Sequence, residues 1–143
     1  MSDKSIKASD SALELMKQRG LGALAEKMGI ELLELSAERA VATMPVAGNT
    51  QPIGLLHGGA HVVLAESLGS FAANVHAHPW GYAVGIELNA THHASITEGI
   101  VTGTCVAIKL GKTLTSHEIS MTDENGRLLS TVRITNYLRP KGQ

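Results

Sequence analysis

The sequence predicts an α+β fold in which an antiparallel sheet wraps around one long central helix. Three observations carry that expectation. The stretch from Gly58 to about Ala77, GGAHVVLAESLGSFAANVHA, is apolar around almost its whole circumference, so it belongs inside a protein rather than on its surface. Four runs downstream alternate with a period of two, as half-buried strands do. No helical segment separates those runs, so short turns join them and the sheet is antiparallel; a parallel α/β fold would need a helix after each strand.

From Ser9 to about Met28, Ala12, Leu13, Leu15, Met16, Leu21, Leu24 and Met28 recur at loosely helical spacing, with Ser9 or Asp10 placed as N-cap. Gly20 and Gly22 divide this stretch into two short helices. Residues 1–28 therefore form an N-terminal helical segment, and residues 29–143 a single domain. Ile30 to Leu35 and Arg39 to Met44 read as two short strands, and VAGNTQPIG as a loop. In the central helix, Val62, Val63, Leu64, Ala65, Leu68, Phe71, Ala72 and Val75 supply the apolar surface. Beyond it, Val84, Ile86 and Leu88 form one apolar face, and Ile100, Thr102, Thr104, Val106, Ile108 and Leu110 another. Thr115, His117, Ile119 and Met121 follow, then Leu128, Ser130, Val132, Ile134 and Leu138. Asn125-Gly126 predicts a tight hairpin turn in which both central residues take positive φ.

Composition narrows the function. Charged residues make up 17% of the chain, against about 25% in an average soluble domain, which suggests a surface partly covered by other subunits. A net charge of −1 without a basic run leaves no footprint for nucleic acid. Phe71, Trp80, Tyr82 and Tyr137 are too scattered for a base-stacking platform. No leader-like apolar segment opens the chain and no stretch approaches the ~20 apolar residues that span a bilayer, so no membrane partner is expected and the location is read as cytoplasmic. Cys105 is the only cysteine, so neither an internal disulfide nor a thiolate metal cluster is available. The pairs His57/His61, His76/His78 and His92/His93 lack the converging set that zinc requires, so no metal is expected. Ser67, in AESLG, does not fit a nucleophile elbow.

The chemistry centres on Glu66, an ionisable group in an apolar helix, with Ser70 one turn later on the same face. Such a carboxylate is costly unless it is paired or used. It is either satisfied by Ser70 or a nearby histidine, or it serves as general base or nucleophile. His57-Gly58-Gly59 opens the helix where its amides lack partners, leaving either a tight junction or an oxyanion-type site for a ligand oxygen. Gly58 and Glu66 are eight residues apart, hence ~12 Å along one axis. If both take part in one reaction they come from different subunits, as in a two-fold dimer with the central helices side by side and antiparallel.

Together, QPIGLLHGGAHVVLAESLGS from Gln51 to Ser70, VGIELNATHHAS from Val84 to Ser95, and the later LGK resemble the hotdog-fold acyl-CoA thioesterases. The similarity runs from about Gly29 to Leu138 and points to the branch of the Arthrobacter-type 4-hydroxybenzoyl-CoA thioesterase, dihydroxynaphthoyl-CoA hydrolase and enterobactin proofreading thioesterase. The resemblance implies hydrolysis of an aromatic or medium-chain acyl-CoA to free acid and CoA, without a cofactor. It implies that Glu66 is nucleophile or base and that the Gly58 amide polarises the thioester carbonyl. Gln51 and His57 would position the thioester or the attacking water, with Ser70 supplying a hydroxyl on the Glu66 face. Gly85, the run His92, His93, Ala94 and Ser95, and the run Lys109, Leu110, Gly111, Lys112, Thr113 and Leu114 would bind the acyl-CoA, with Lys109 and Lys112 able to meet phosphates. His93-Ala94 departs from relatives that often place an arginine near the nucleotide. The acyl pocket is expected to involve Leu68, Phe71 and the N-terminal helices. The resemblance also implies a homotetramer, a dimer of dimers with sites across the subunit interface. A non-catalytic acyl-CoA sensor and a hotdog dehydratase are the alternatives. Residues 1–28 are too few and too neutral for the DNA-binding module expected of a sensor, and the spacing from Gln51 through His57-Gly58-Gly59 to Glu66 matches thioesterases better than dehydratases.

Overall fold

The protein is described by a computed structural model covering residues 5–142, so the first four residues of the N-terminal segment and Gln143 lie outside the described residues. Strand β1 (Lys7–Ala8) is followed by helix α1 (Asp10–Arg19), whose N-cap Ser9 accepts a hydrogen bond from the Ala12 N–H at 3.2 Å. Gly20 at φ +66° and Gly22 at φ +92° break the helical path before α2 (Ala23–Lys27), so the two glycines act as the sequence indicates. Strands β2 (Glu31–Leu35) and β3 (Arg39–Pro45) lead through a loop to α3 (Gly58–Ala77), then β4 (Gly81–His92), β5 (Ile100–Leu110), β6 (Leu114–Thr122) and β7 (Leu128–Pro140).

The strands form one sheet in the order β1-β2-β3-β5-β6-β7-β4. Every pairing is antiparallel except β1 with β2, which is parallel. At two residues, β1 is too short to carry a periodic signal, and the sequence reading misses it. The sheet curls around α3, whose Leu64, Ala65, Leu68 and Ala72 are wholly buried. β4 forms one edge and runs beside α3 along most of its length: the Ala83 N–H donates to Asn74 Oδ1 at 3.0 Å near one end, and His92 packs on Gly58 at the other.

Two expected strand faces point the other way. On β5, Val101, Gly103 and Cys105 face the helix, while Val106 and Ile108 lie on the outer side. The cause is close approach. A Cβ at Gly103 would sit 2.9 Å from Leu68 Cδ1 and 3.1 Å from Leu64 Cδ2, so the inner face narrows to glycine and cysteine beside the helix, and Thr102, Thr104, Val106 and Ile108 lie on the other side. The inward Cys105 thiol is pushed up to about 12 by burial. On β4 a bulge is responsible: Gly85 pairs with Asn136 and Glu87 with Thr135, leaving Ile86 as the extra residue. Simple alternation then runs out of phase. Ala83 and Leu88 turn inward, and Val84 and Ile86 are 40% and 58% exposed.

The inner faces of β6 and β7 agree with the sequence reading, with Thr115, His117, Ile119, Met121, Ser130, Val132, Ile134 and Leu138 buried; Leu128, beside another irregularity, is exposed. The β6–β7 turn is built differently from expectation. Gly126 has φ +83°, but no described non-glycine residue has positive φ, so Asn125 does not. Asp123 Oδ1 instead accepts from the N–H groups of Asn125 and Arg127, each at 2.9 Å. A side-chain cap thus substitutes for the second left-handed residue.

The tightest helix–sheet contact generates a test. A methyl group at Gly69 would overlap Ile134 Cγ2, itself buried in β7. Gly69→Ala should therefore destabilise the protein by about 1–3 kcal/mol, although alanine is the better helix former. Urea unfolding at fixed protein concentration checks this; a midpoint at or above that of the wild type would contradict the packing assignment.

Candidate active site

The first turn of α3 borders a cavity of about 210 Å³ lined by Gln51, Gly58, His61, His92, Ala94 and Ser95, among others. The preceding loop holds this geometry. Asn49 Nδ2 donates to the carbonyls of Met28 and Pro45, both at 2.8 Å, and the Asn49 carbonyl accepts from the His57 N–H at 2.9 Å. His57 caps α3, its Nδ1 accepting from the Gly59 N–H at 2.8 Å. That duty turns its ring toward an adjoining cavity with Asn49, Gly59 and Val63. Gln51 and Gly58 therefore share a cavity within one chain, while His57 lines the next one. The Gly58 N–H has no acceptor among the described residues.

Gly58 has a second reason to lack a side chain, since a Cβ there would lie 2.7 Å from His92 Nε2. The His92 ring is held from behind by Ser130. The Ser130 hydroxyl donates to the Thr91 carbonyl at 3.2 Å and so accepts from His92 Nδ1–H at 2.9 Å. This leaves Nε2 toward Gly58. His61, weighed in the sequence only as a metal ligand, tilts against His92 with centroids 5.4 Å apart. It is 4% exposed, its Nδ1 has no partner, and burial first, then the nearby His92, pushes it down to about 4.

Two turns along the helix, Glu66 borders a different cavity of about 260 Å³ with Gly85, Ile86, Glu87, Leu88 and Ile134. The carboxylate is exposed and accepts no hydrogen bond among the described residues. Ser70 does not satisfy it; the Ser70 hydroxyl donates to Asn136 Oδ1 at 3.4 Å. Gly85 opens the space beside Glu66, with a Cβ position 3.8 Å from Glu66 Oε1. Asn136 is absent from the sequence reading. Its signal was available as the one amide at an inward-facing position between Ile134 and Leu138.

The run from Lys109 to Leu114 sits at the far end of α3, where His76 Nε2–H donates to the Gly111 carbonyl at 2.7 Å. Eighteen residues of helix, about 27 Å, separate that contact from Gly58, so one chain does not bring Lys109 and Lys112 to His92, Ala94 and Ser95. His93 turns outward, 3.0 Å from Thr131 Oγ1. A further cavity, about 250 Å³, lies between the N-terminal helices and α3 and is lined by Leu15, Met16, Leu21, Leu32, Phe71 and Asn74, among others. Arg19 closes one side through a 3.0 Å hydrogen bond to Asn74 Oδ1. Leu68, expected in this wall, is instead wholly buried against Gly103. Among the described residues no group of three or more histidine, cysteine or acidic side chains is arranged to hold a metal ion, and no helix is long and apolar enough to cross a membrane.

The buried imidazole makes stability pH-dependent. An unfolded chain protonates His61 below about pH 6.5, whereas the folded protein resists until about pH 4. The stabilisation is thus present above the unfolded value and is lost as pH falls through that window. His117 is lowered too, chiefly by burial, so the wild type should lose more stability between pH 7 and 5 than His61→Gln, which retains His117. Urea midpoints at fixed protein concentration measure this; equal losses would contradict it.

Residues 53–130 match the family model described as the Thioesterase superfamily. The chain is 41% identical over 124 residues to a proofreading thioesterase, EntH, from Cronobacter turicensis, spanning 86% of this chain and 90% of that relative. A thioesterase structure from Haemophilus influenzae matches with a TM-score of 0.84 at 31% identity, covering 92% of each chain. A glutamine-to-alanine mutant of a thioesterase from Pseudomonas aeruginosa matches with a TM-score of 0.82 at 36% identity, covering 90% of this chain and 94% of that one. The helix wrapped by its sheet is the hotdog architecture, and the chain belongs to the thioesterase superfamily as a thioester hydrolase.

Proposed function

We propose that the protein hydrolyses an acyl-CoA thioester, with Glu66 as base or nucleophile and the Gly58 amide of a second copy as oxyanion donor. The observation that carries this reading is the division of one helix between two cavities: an unpaired N–H at Gly58 with Gln51, and an unpaired carboxylate at Glu66 with Gly85. Eight residues of rigid helix keep the two ~12 Å apart, too far for one side chain to bridge.

Edge strand β4 offers the way to combine them. Gly58 lies level with His92 and Glu66 level with Gly85. A two-fold axis midway between those levels, at Leu88 and Asn89, would pair β4 with its copy and set Glu66 of each chain opposite Gly58 of the other. Val84 and Ile86 on β4, with Val106 and Ile108 on β5, leave apolar surface exposed on the single chain. That surface supports a homo-oligomer, which we read as a tetramer made of two such dimers.

In the assembled site the thioester oxygen accepts from the Gly58 N–H with Gln51 beside it, while His57, its ring in the adjoining cavity, positions the thioester through the first turn that it caps. Glu66 either takes a proton from the attacking water or attacks the carbonyl carbon itself; in both cases the C–S bond breaks and CoA leaves as the thiolate, and in the second a water then cleaves the acyl–Glu66 anhydride, releasing the acid and restoring the carboxylate. Neither route needs a cofactor. The acyl group, aromatic or medium-chain, fits the apolar cavity between Phe71 and the N-terminal helices. Gly85 and the His92–Ser95 run flank the thioester end, and Lys109 and Lys112 from a neighbouring chain's Lys109–Leu114 hairpin meet the CoA phosphates.

CoA release from a panel of aroyl-CoA and medium-chain acyl-CoA substrates tests the assignment. Glu66→Gln should lower turnover by about 10² to 10⁴ with an unchanged thermal unfolding profile. Wild-type turnover by that variant would remove Glu66 from the chemistry.

A further inference from the structure

Asn136 is wholly buried on the inner face of β7, in a row with Ser130, Val132, Ile134 and Leu138 and flanked directly by the last two. A buried amide in such a row costs stability unless its polar atoms are used. It pairs across the sheet with Gly85, the residue that opens the space beside Glu66. The Cβ position at Gly85 is 3.7 Å from Asn136 Oδ1 and 3.8 Å from Glu66 Oε1, so the amide and the carboxylate border the same glycine-sized gap.

The orientation of the amide follows from its partners. The Gly69 carbonyl, 3.5 Å from Nδ2, can only accept a hydrogen bond, so the NH₂ group faces it. Oδ1 then faces Ser70, whose hydroxyl donates to it at 3.4 Å. A hydroxyl has one hydrogen. Ser70 lies one turn beyond Glu66 on the same helix face, and without Asn136 its hydrogen would be free to turn to the carboxylate.

We infer that Asn136 is a positioning residue that takes the Ser70 hydrogen and so keeps the Glu66 carboxylate free of an internal donor. Ser70 then offers only lone pairs toward Glu66. A water between them donates one hydrogen to Glu66 and the other to Ser70, which directs its own lone pair outward to the thioester carbon. Attack forms the C–O bond, Glu66 takes the water proton, and the C–S bond breaks with CoA leaving as the thiolate. This role rests on the assignment of Glu66 as the reacting carboxylate, acting as base on water. One other charged side chain, Glu87 of β4, borders the Glu66 cavity. On α3 the neighbours Val62, Val63, Gly69 and Ser70 are uncharged, as are Ile134 and Asn136 on β7.

The test compares pH profiles of kcat/KM for the wild type, Asn136→Leu, Ser70→Ala and the double variant. Leucine keeps the branched outline of asparagine and removes its acceptor and donor. Asn136→Leu should release the Ser70 hydroxyl onto Glu66, moving the acidic limb down by about one pH unit. Its kcat should fall about tenfold at pH 7 with KM within about twofold of the wild type. The double variant, with no hydroxyl to release, should return the limb to its wild-type position, and Ser70→Ala alone should leave the limb there. A limb unmoved in Asn136→Leu, or a shift that survives in the double variant, overturns the inference. If Asn136→Leu does not fold, Ser70→Ala still decides, because a limb raised by that change would mean Ser70 already donates to Glu66. Inactive Glu66→Gln with an unmoved Asn136→Leu limb overturns this role alone, whereas active Glu66→Gln overturns the assignment beneath it.

Discussion

The rise of an α-helix, about 1.5 Å per residue, governs this molecule. Gly58 and Glu66 sit on one rigid rod, α3, and a helix packed against its sheet has no freedom to bend and bring its first turn to its third. The unpaired amide and the unpaired carboxylate therefore open into separate cavities. Thioester hydrolysis needs both functions within a few ångströms of one carbonyl, and the geometry supports meeting that need by doubling the chain rather than deforming it. The long, unpaired edge of β4 and the apolar residues left outside the sheet fit the same requirement.

Close packing around the rod explains much of what surrounds the candidate site. Glycine recurs where another element must approach α3 or the space beside it: Gly58 under His92, Gly69 under Ile134, Gly103 under Leu64 and Leu68, Gly85 beside Glu66. Each absent side chain is filled by a neighbour or left open next to a polar group. The low charge content noted in the sequence reads in the same light, because a chain that covers part of its surface with copies of itself needs fewer solvated residues.

How far the sequence reveals this depends on whether the signal is local. α3 is marked over Gly58–Ala77 because its apolar circumference and the glycines that open it all lie within the segment. Glu66 and Gly58 stand out for the same reason: a charge in an apolar helix and glycines at its start need no tertiary information. The faces of β4 and β5 are misread because a bulge at Ile86 and the nearness of α3 to Gly103 are decided by partners distant in sequence. Asn125-Gly126 gives the turn its place but not its geometry, which Asp123 sets. The packing of His61 on His92 and the place of Asn136 are hidden in the sequence, since their surroundings exist only after β4 and β7 pack on the helix. Cavity membership for Leu68 and His57 is likewise a property of the packed structure.

Subunit complementation tests most directly whether the site is shared between chains. Glu66→Gln and Gly58→Val would each be inactive alone, the first lacking the carboxylate and the second blocking the amide. After equal mixing and exchange, half of the dimers are hybrids holding one intact site of two, so activity should recover to about one quarter of the wild-type value. No recovery in a mixture with demonstrated subunit exchange would contradict a shared site and place both groups within one chain.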